Sequence, residues 1–347
     1  MSLSEDDSIR ALSTTLQSLI KGYMPARVVH AAAHLGISDL LAAGPMTAEA
    51  LAQATNTSVS PLLRLLRALA SMDLLEDLGC DGFALTAMGN HLRSNVPGSM
   101  RNFALMFGGE RAWRSWGELQ HCVKTGESGT HHIYGMGSFE YLAANPDQAV
   151  IFNEAMAENT RQVAQALIAA YDFSQFGKII DVGGGNGALL GAIIAANPGV
   201  RGAVFDLPRG NADALRKLTD AGVIARCDVV AGDFFRSVPE GADAYILKFI
   251  IYDWDDEKSI AILRNCHKAM HHGSKILLLE CVMPEKMEAT PANQRKAMAD
   301  MNMLAMPGGR ERTGEEYRDL LVKAGLSIVQ SLAIPGLDIG VIEALRC

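Results

Sequence analysis

Three acidic residues follow three consecutive β-rich stretches in the second half of the chain. Asp181 closes "KIID", Asp206 closes "GAVFD" and Asp233 follows "CDVVAG". In an open α/β sheet, ligands bind at the carboxyl ends of the strands. Any one of these acids could be a helix N-cap, but capping is a poor account of all three at consecutive strand ends. The spacing therefore predicts a ligand-binding edge that carries three carboxylates.

A glycine-rich turn follows the first of these stretches. The segment "IIDVGGGNGALL" places Gly183, Gly185 and Gly187 between a strand and a helix. Glycine permits positive φ and lets backbone amides approach a ligand closely, and the helix N-terminus adds a partial positive charge. The turn also fits G-x-G-x-x-A, so a dinucleotide site is a second possibility.

The acids distinguish between these two ligands. Asp206 is placed to bind ribose hydroxyls, and Asp233 can accept a hydrogen bond from an adenine amino group beside the ring of Phe234. These features suit an adenosine. The carboxylates would repel a pyrophosphate but attract the sulfonium and ammonium groups of S-adenosylmethionine. We therefore predict S-adenosylmethionine as the cofactor.

The stretch "LKFIIYDWDDEKS" places Tyr252 where an apolar strand ends. A tyrosine there either takes part in chemistry or closes the end of the core. Its pKa is about 10 in isolation, and neighbouring carboxylates raise it further. A neutral tyrosine can orient a substrate by hydrogen bonding, but it is not an efficient base at neutral pH.

The elements that position these residues alternate between β and α from Gly177 onward. Short β-rich runs such as "AYILKFII" and "SKILLLECV" are separated by helical stretches such as "NGALLGAIIAANP" and "DEKSIAILRNCHKAMH". One helix, "TGEEYRDLLVKAGL", and two strands, "SIVQSLAI" and "DIGVIEAL", follow. This pattern predicts an α/β fold with a mostly parallel sheet and helices on both faces.

The first half shows helices followed by a hairpin, which is a winged-helix outline. "RVVHAAAHLGISDLLAAG" has helical periodicity, Thr47 precedes a second helix, and Pro61 stands at the first helical position of a third. This outline raises sequence-specific DNA binding as a rival function. The candidate recognition helix contains only Arg64 and Arg67 as basic residues, and residues 1–100 carry six Lys/Arg against nine Asp/Glu. DNA binding usually needs a basic face, so we interpret this half as a packing or dimerisation module.

Composition argues against several other classes. The formal charge of -8 is unsuited to a broad nucleic-acid or anionic-membrane surface. No apolar run reaches the length of a membrane span, and the acidic start "MSLSEDDSIR" is unlike a signal peptide. Six scattered cysteines favour reduced thiols in the cytoplasm. The doublets His131-His132 and His271-His272 lack the spacing of a helical metal pair, so we interpret them as solvated turn histidines and predict no metal.

Taken together, these motifs resemble the S-adenosylmethionine-dependent small-molecule O-methyltransferases of the caffeic acid O-methyltransferase type, including bacterial tailoring enzymes. The matching stretches fall in order: "YGMGSFEYLAANPDQAVIFNEAM", "DVGGGNG", "FDLP", "GDFF", "LKFIIYDWDDEKS", "LLLEC" and "PGGRERTGEEY". The resemblance implies a Rossmann-like methyltransferase sheet and an N-terminal, mostly helical, winged-helix-like dimerisation domain. It implies a homodimer, a dimerisation domain over 1–105, and a catalytic domain over 106–347 whose residues 106–170 form a helical connector and pocket lid.

The resemblance also implies roles for individual residues. The residues expected to contact the cofactor are Asp181, Gly183, Gly185, Asp206, Leu207, Asp233, Phe234 and Lys248. Lys248 is expected at the methionine end of the cofactor. Family members that methylate phenols usually carry a histidine base in "LHDW", and this chain has "IYDW", so Tyr252 takes that position. The two supporting acids match Glu280 and Glu311. Substrate-pocket positions, which could equally be ordinary core, are Met106, Phe107, Met156, Trp254 and Met303.

Tyr252 leaves three readings of the reaction open. In the first, the acceptor is already acidic, or is an electron-rich carbon, and Tyr252 only orients it. In the second, a carboxylate or water takes the proton, with Asp253 nearest in sequence. In the third, the pocket catalyses a non-methylating reaction, such as hydroxylation, decarboxylation or a pericyclic step, with the cofactor as scaffold. The intact cofactor motifs favour methylation of a small aromatic or polyketide-like acceptor, with O-methylation ahead of C-methylation.

Overall fold

The computed structural model describes residues 5–346, which form two compact units. The first unit comprises the described residues up to Trp113 together with Asn145–Glu158. The second comprises Arg114–Ala144 together with the described residues from Asn159 onward. The region that the sequence suggests as a connector is therefore shared between both units.

The first half of the chain is a series of short helices with one hairpin, as predicted. The elements up to the central sheet are α1 Glu5–Ile20, α2 Tyr23–Leu35, α3 Ile37–Leu40, a 3-10 turn Leu41–Ala43, α4 Ala48–Thr55, α5 Val59–Ser71, β1 Leu75–Asp77, a 3-10 turn Gly79–Asp81, β2 Phe83–Leu85, α6 Ala87–Asn90, α7 Arg101–Gly108, α8 Glu110–Gly117, α9 Leu119–Thr125, α10 Gly129–Tyr134, α11 Ser138–Ala144 and α12 Pro146–Ala170. β1 and β2 pair in antiparallel fashion.

Two predicted helix boundaries in this half are wrong and one is confirmed. The Thr47 hydroxyl accepts a hydrogen bond from Ala50 N at 3.3 Å and caps α4, as predicted. The single helix predicted for "RVVHAAAHLGISDLLAAG" is interrupted at Gly36, which adopts φ 68° and ends α2, because glycine enters the left-handed region at little cost. α5 begins at Val59, so Pro61 is its third residue and not its first.

The leucine-rich face of α5 is a core element. Leu62, Leu66 and Leu69 are buried, and they belong to one apolar cluster with Leu51 of α4. Burying each such side chain contributes about 1.5–3 kcal/mol to stability. This explains why the helix considered for DNA recognition is composed of leucine and alanine.

A seven-stranded mixed sheet is the centre of the second unit. Its strands are β3 Lys178–Val182, β4 Arg201–Asp206, β5 Cys227–Ala231, β6 Ala244–Lys248, β7 Lys275–Glu280, β10 Leu326–Ala333 and β11 Gly340–Arg346, while β8 Val282–Met283 and β9 Arg312–Thr313 form a separate parallel pair. The remaining helices are α13 Ala188–Ala196, α14 Ala214–Asp220, α15 Asp256–Ala269, α16 Pro291–Ala305 and α17 Gly314–Lys323. The strand order is β10-β11-β7-β6-β3-β4-β5. β7, β6, β3, β4 and β5 run parallel, and β11 is antiparallel to both of its neighbours.

Apolar side chains on both faces of this sheet are buried by helices, as predicted. Successive residues of β3 point to opposite faces, so Ile179 packs with residues of α13 and α14, and Ile180 packs with residues of α15 and α17. Both isoleucines are fully buried. The continuous apolar runs read from the sequence are therefore strands covered on both sides.

The strand order changes direction beside β3. β4 and β5 are added successively on one side of β3, whereas β6 and β7 are added on the other. The crevice at the carboxyl ends of β3 and β6 is thus the topological switch point, where open α/β sheets bind their ligands. Val182, Asp206, Lys248 and Glu280 end four of the parallel strands and lie at this edge.

Five cysteines lie in the described part of the chain, and all five are free. Cys80 is exposed and the other four are buried. The sixth, Cys347, lies outside the described residues, as do Met1–Ser4 of the acidic start. Within residues 5–346, no helix combines the length and apolarity needed to cross a membrane.

Candidate active site

The glycine turn after β3 requires glycine for two physical reasons. Gly183, Gly185 and Gly187 have φ of 73°, 55° and 76°, which glycine adopts readily and other residues rarely do. A Cβ on Gly183 would also lie only 2.4 Å from Cδ1 of Ile250. The turn therefore combines left-handed backbone with a close approach to the segment that follows β6.

Asp206, at the end of β4, holds this turn in place. Its Oδ2 accepts a hydrogen bond from Gly185 N at 2.8 Å, and its Oδ1 accepts one from Leu207 N at 2.6 Å. Burial raises the pKa of Asp206 above its ordinary value, and the two hydrogen bonds oppose that rise. Asp206, which is predicted to bind the ribose, thus also stabilises the glycine turn. The side chain of Leu207 is exposed.

Buried Asp181 and half-buried Lys248 interact electrostatically at the switch point. Asp181 is 2% exposed, and burial raises its pKa to about 7 although Lys248 lowers it. Burial lowers the pKa of Lys248 to about 8, and the lysine Nζ donates to Thr160 Oγ1 at 3.2 Å. The Oδ2 atom of Asp181 has no hydrogen-bond partner among the described residues. A buried oxygen of this kind calls for a donor, and a cationic donor satisfies it best.

Asp233 and Phe234 follow β5 at the same edge. Asp233 Oδ1 accepts a hydrogen bond from Phe235 N at 2.9 Å, which fixes the turn. The Phe234 ring is half-buried, and its Cε1 lies 3.6 Å from the position of a Cβ on Gly183. The aromatic face predicted to cover a purine is therefore beside the glycine turn.

Tyr252 lies in a single 3-10 turn directly after β6. The segment that leads to it is bent, because Phe249 has φ 54°, a strained value for a residue other than glycine. Glu280 holds the bend: its Oε1 accepts hydrogen bonds from Ile250 N at 3.1 Å and from Ile251 N at 2.8 Å. The half-buried Tyr252 ring packs against Phe249 with 5.4 Å between centroids.

The surroundings of Tyr252 keep its hydroxyl protonated. Burial raises the pKa of Tyr252 well above its ordinary value of 10.0, and the nearby carboxyls of Asp253, Glu280 and Glu311 raise it further. Burial, followed by the charge of Glu311, also raises the pKa of Asp253 well above its ordinary value. At neutral pH the Tyr252 side chain is therefore a neutral phenol that can donate and accept hydrogen bonds.

The two predicted supporting acids are buried and interact with each other. Glu280 is fully buried and Glu311 is 7% exposed. Burial raises the pKa of each to about 8, and the charge of Glu280 contributes to the shift of Glu311. Within the described residues, Glu280 Oε2, Glu311 Oε2 and the Tyr317 hydroxyl have no hydrogen-bond partner. Tyr252, Asp253, Glu280 and Glu311 thus form one electrostatically coupled cluster, in which the two glutamates are buried and hold protons at neutral pH while Tyr252 and Asp253 are half-buried.

Comparison with known proteins identifies the family. Residues 116–327 match the O-methyltransferase domain, and residues 17–95 match the O-methyltransferase dimerisation domain. The chain belongs to the O-methyltransferase family. It is 41% identical over 321 residues to the phenazine O-methyltransferase PhzM of Lysobacter antibioticus, with 92% of this chain and 93% of that protein covered.

Two solved structures extend the comparison. The mitomycin 7-O-methyltransferase MmcR superimposes with a TM-score of 0.91 and 34% identity over 99% of this chain and 100% of that one. The O-methyltransferase NcsB1 from neocarzinostatin biosynthesis was solved with S-adenosylmethionine and 2-hydroxy-5-methyl naphthoic acid. It superimposes with a TM-score of 0.78 and 31% identity, with 93% of this chain and 96% of that one covered. This O-methyltransferase family member is accordingly an S-adenosylmethionine-dependent enzyme, which confirms the predicted fold class, family and cofactor. The DNA-binding, dinucleotide and non-methylating alternatives are not favoured.

The strand-end residues of this methyltransferase fit its cofactor. The partnerless Oδ2 of Asp181 suits a ligand with a cationic donor, as S-adenosylmethionine has. The glycine turn at Gly183 admits backbone where a side chain would collide, and Phe234 offers an apolar ring next to it. A pyrophosphate would meet the carboxylates of Asp206 and Asp233 at the same edge, which disfavours a dinucleotide.

Arg312, which is not among the predicted site residues, supports the Tyr252 turn. Arg312 is fully buried; it donates to Ile251 O at 3.0 Å, to Trp254 O at 2.8 Å and to Asp256 Oδ1 at 2.9 Å. A signal was present: an arginine stands directly before the α17 cap Thr313, where the helix dipole disfavours a cation. Such an arginine needs an acidic partner, and the "DWDDE" run supplies it.

The predicted substrate-pocket residues belong to two different units. Trp254 and Met303 lie in the second unit, where the Trp254 ring packs edge-on against Phe235 at 4.9 Å and Met303 is buried on α16. Met106, Phe107 and Met156 lie in the first unit, and Phe107 is exposed. That these five residues line one pocket stays a prediction.

Proposed function

We propose that this methyltransferase methylates the hydroxyl group of a small aromatic or polyketide-like molecule, and that Tyr252 orients the acceptor without acting as the base. The observation that carries the proposal is the position of half-buried Tyr252 at the end of β6, where burial and the charges of Asp253, Glu280 and Glu311 raise its pKa and keep it protonated. A neutral phenol can donate a hydrogen bond to an acceptor oxygen or accept one from it. It cannot remove a proton efficiently near pH 7.

S-adenosylmethionine, when bound, supplies an electrophilic methyl group on a positively charged sulfur. On the protein side, we assign recognition of the cationic end to Asp181 and Lys248. We assign the adenosine end to Asp206, Asp233 and Phe234. Because the methyl group is already activated, the remaining work of the chain is to position the acceptor and to receive its proton.

The glutamate pair is the proposed proton acceptor. An ordinary carboxylate is too weak a base for a phenol, whereas Glu280 and Glu311, with pKa raised to about 8, are better matched to it. Because the two groups interact, the pair loses its protons in two macroscopic steps. One ionised glutamate can accept the acceptor's proton, either directly or through a water molecule, while Tyr252 holds the oxygen. Asp253, whose pKa is also raised by burial and by the charge of Glu311, is the alternative acceptor that lies nearest to Tyr252 in sequence.

We further propose that the chain forms a homodimer through its N-terminal helices. Apolar side chains recur along one side of α1 and are 57–71% exposed in the single chain: Ile9, Leu12, Leu16, Leu19 and Ile20. An apolar stripe of this kind on a monomer indicates a protein partner. The match of residues 17–95 to the dimerisation domain supports a second copy as that partner. We keep residues 1–105 as the dimerisation domain and residues 106–347 as the catalytic domain in this proposal.

The free thiols support a location for the enzyme. All five described cysteines are unpaired, including exposed Cys80. Such thiols persist in a reducing compartment. We therefore propose that the protein works in the cytoplasm. A fusion to a redox-sensitive fluorescent reporter would then show the reporter in its reduced form.

A direct assay tests the proposed reaction. Denaturing mass spectrometry of the purified protein would identify small molecules that co-purify with it. Turnover would then be measured on phenols, hydroxylated phenazines and polyketides with S-adenosylmethionine as donor. Formation of a methyl ether with equimolar S-adenosylhomocysteine is the expected result. Consumption of an acceptor without S-adenosylhomocysteine release would refute the proposal.

A further inference from the structure

Three side chains of the second unit converge outside the active site, and we call them the His121–Glu127–His132 cluster. His121 lies on α9, Glu127 in the following loop and His132 on α10. One donor atom of each lies within 4.8 Å of the other two. His121 Nε2 is 2.7 Å from Glu127 Oε2, and His132 Nδ1 is 3.7 Å from the same oxygen.

The local fold explains why these residues meet despite their irregular spacing. Gly126 adopts φ 76° and ends α9, and Ser128 then caps α10 by accepting a hydrogen bond from His131 N. The chain therefore reverses within a few residues and brings the α10 histidines back over α9. The His121 and His132 rings stack with 3.7 Å between centroids and 22° between planes. His131 and His132 are exposed, as predicted, but they lie on α10 and not in a turn, whereas His271 and His272 lie exposed in a turn.

A neighbouring histidine orients the carboxylate of the cluster. His131 Nδ1 lies 2.6 Å from Glu127 Oε1, on the opposite oxygen from the one shared by His121 and His132. The hydrogen bonds from His131 and His121 lower the pKa of Glu127, so the side chain is a carboxylate at neutral pH. His131 thus holds one oxygen of Glu127, and the other oxygen faces His121 and His132. Ligands of metal ions are commonly oriented by such a hydrogen bond from a residue outside the ligand set.

We propose that the His121–Glu127–His132 cluster is a binding site for a divalent transition metal ion, with Zn²⁺ as the best match. Two imidazole nitrogens and one carboxylate oxygen are a donor set that Zn²⁺ accepts, with water completing the coordination. Ligand atoms at about 2.0–2.1 Å from zinc are separated from one another by roughly 3.4 Å in a tetrahedral site. The 3.7 Å pair is already close to that separation. His121 Nε2 and Glu127 Oε2, which are 2.7 Å apart, must separate slightly and release the proton that they share. The stacked rings of His121 and His132 must also tilt.

The partial exposure of the cluster gives the rings room to make this adjustment. The side chains of His121, Glu127 and His132 are 25%, 38% and 42% exposed. The ion would join α9 to α10, both of which pack against α16, the helix that carries Met303. Metal binding would therefore stiffen the support of α16 without entering the active-site cluster.

Metal titration of the full-length, tag-free protein tests the site. The protein would be stripped with a chelator, dialysed, and titrated with Zn²⁺ by calorimetry and with Co²⁺ by absorption spectroscopy. We expect one ion per chain and a Co²⁺ spectrum of nitrogen and oxygen ligands. Glu127→Gln and His121→Ala should each weaken binding by at least about tenfold. The matched control His272→Ala, in the exposed doublet, should leave the affinity unchanged.

Three outcomes would overturn the proposal. The first is the absence of stoichiometric Zn²⁺ binding by the stripped protein. The second is equal binding by wild type, Glu127→Gln and His121→Ala, which would locate the ion elsewhere. The third is a thiolate-to-cobalt charge-transfer band, which would show a cysteine ligand such as exposed Cys80. Circular dichroism of each variant verifies that the helices are retained.

Discussion

Replacing Tyr252 by phenylalanine separates an orienting hydroxyl from a catalytic base. The Tyr252 hydroxyl is protonated, because burial and three neighbouring carboxyls raise its pKa well above 10.0. Fewer than about one molecule in a thousand would carry the phenolate at pH 7. The substitution then removes one neutral hydrogen bond, which contributes about 0.5–1.5 kcal/mol. We therefore expect kcat to fall only about two- to tenfold.

Loss of a general base would have a much larger effect, about 10²- to 10⁴-fold. The assay is steady-state methyl transfer by wild type and Tyr252→Phe at pH 7 and pH 9, with S-adenosylhomocysteine affinity measured by calorimetry as a control for the cofactor site. Tyr252→His is the complementary variant: a histidine base at this position should raise turnover near pH 7. A thousandfold loss of kcat in Tyr252→Phe, with cofactor affinity intact, would refute the orienting role.

Four further predictions follow from the same contacts. Asp206→Ala should weaken S-adenosylmethionine binding strongly in calorimetry, because it removes a proposed ribose ligand and also the acceptor of Gly185 N; unchanged affinity would exclude both roles. Glu311→Gln should remove an ionisation near pH 8 from the pH profile of kcat/KM and should reduce the loss of folding stability with rising pH. The sign follows because the folded-state pKa of Glu311 is raised from 4.5 to about 8, so its contribution is fully present below about pH 4.5 and is lost as pH rises through about 8; a denaturation series that shows no such change would contradict the burial argument. Arg312→Ala should destabilise the enzyme by about 1.5–3 kcal/mol in chemical denaturation, because the Ile251 and Trp254 carbonyls lose a charged donor and keep only longer hydrogen bonds from the Ser259 hydroxyl and, at Ile251, from Trp254 N; a loss below about 1 kcal/mol would contradict that support. Leu16→Glu on α1 should give a monomer by light scattering, whereas a persistent dimer would place the interface elsewhere.

The sequence predicted the sheet well because its strands are buried on both faces. Continuous apolar runs such as "KILLLE" arise only where helices cover both sides, and the glycine turn at Gly183 signals a backbone that other residues cannot adopt. Local rules were weaker in the first half. α2 ends where Gly36 adopts a left-handed conformation, and α5 begins two residues before Pro61; helical periodicity alone reports neither boundary.

Tertiary contacts were the part that the sequence could not supply. Asp206 was expected to bind a ligand, but nothing in "VFDLP" shows that its carboxylate also accepts the amide of Gly185 twenty-one residues away. The His121–Glu127–His132 cluster has no helical spacing, and it forms only because Gly126 reverses the chain. Spacing rules detect ligands on one helix and miss those that a tight turn brings together.

Transfer of a labelled methyl group tests the central claim most directly. S-adenosylmethionine that carries a deuterated methyl group would be incubated with the enzyme and an accepted aromatic substrate, and the product would be examined by mass spectrometry and NMR. We expect a deuterated methyl group bonded to an aromatic oxygen, formed by Tyr252→Phe about two- to tenfold more slowly than by the wild type. An unlabelled product, or a label on carbon, would contradict this expectation.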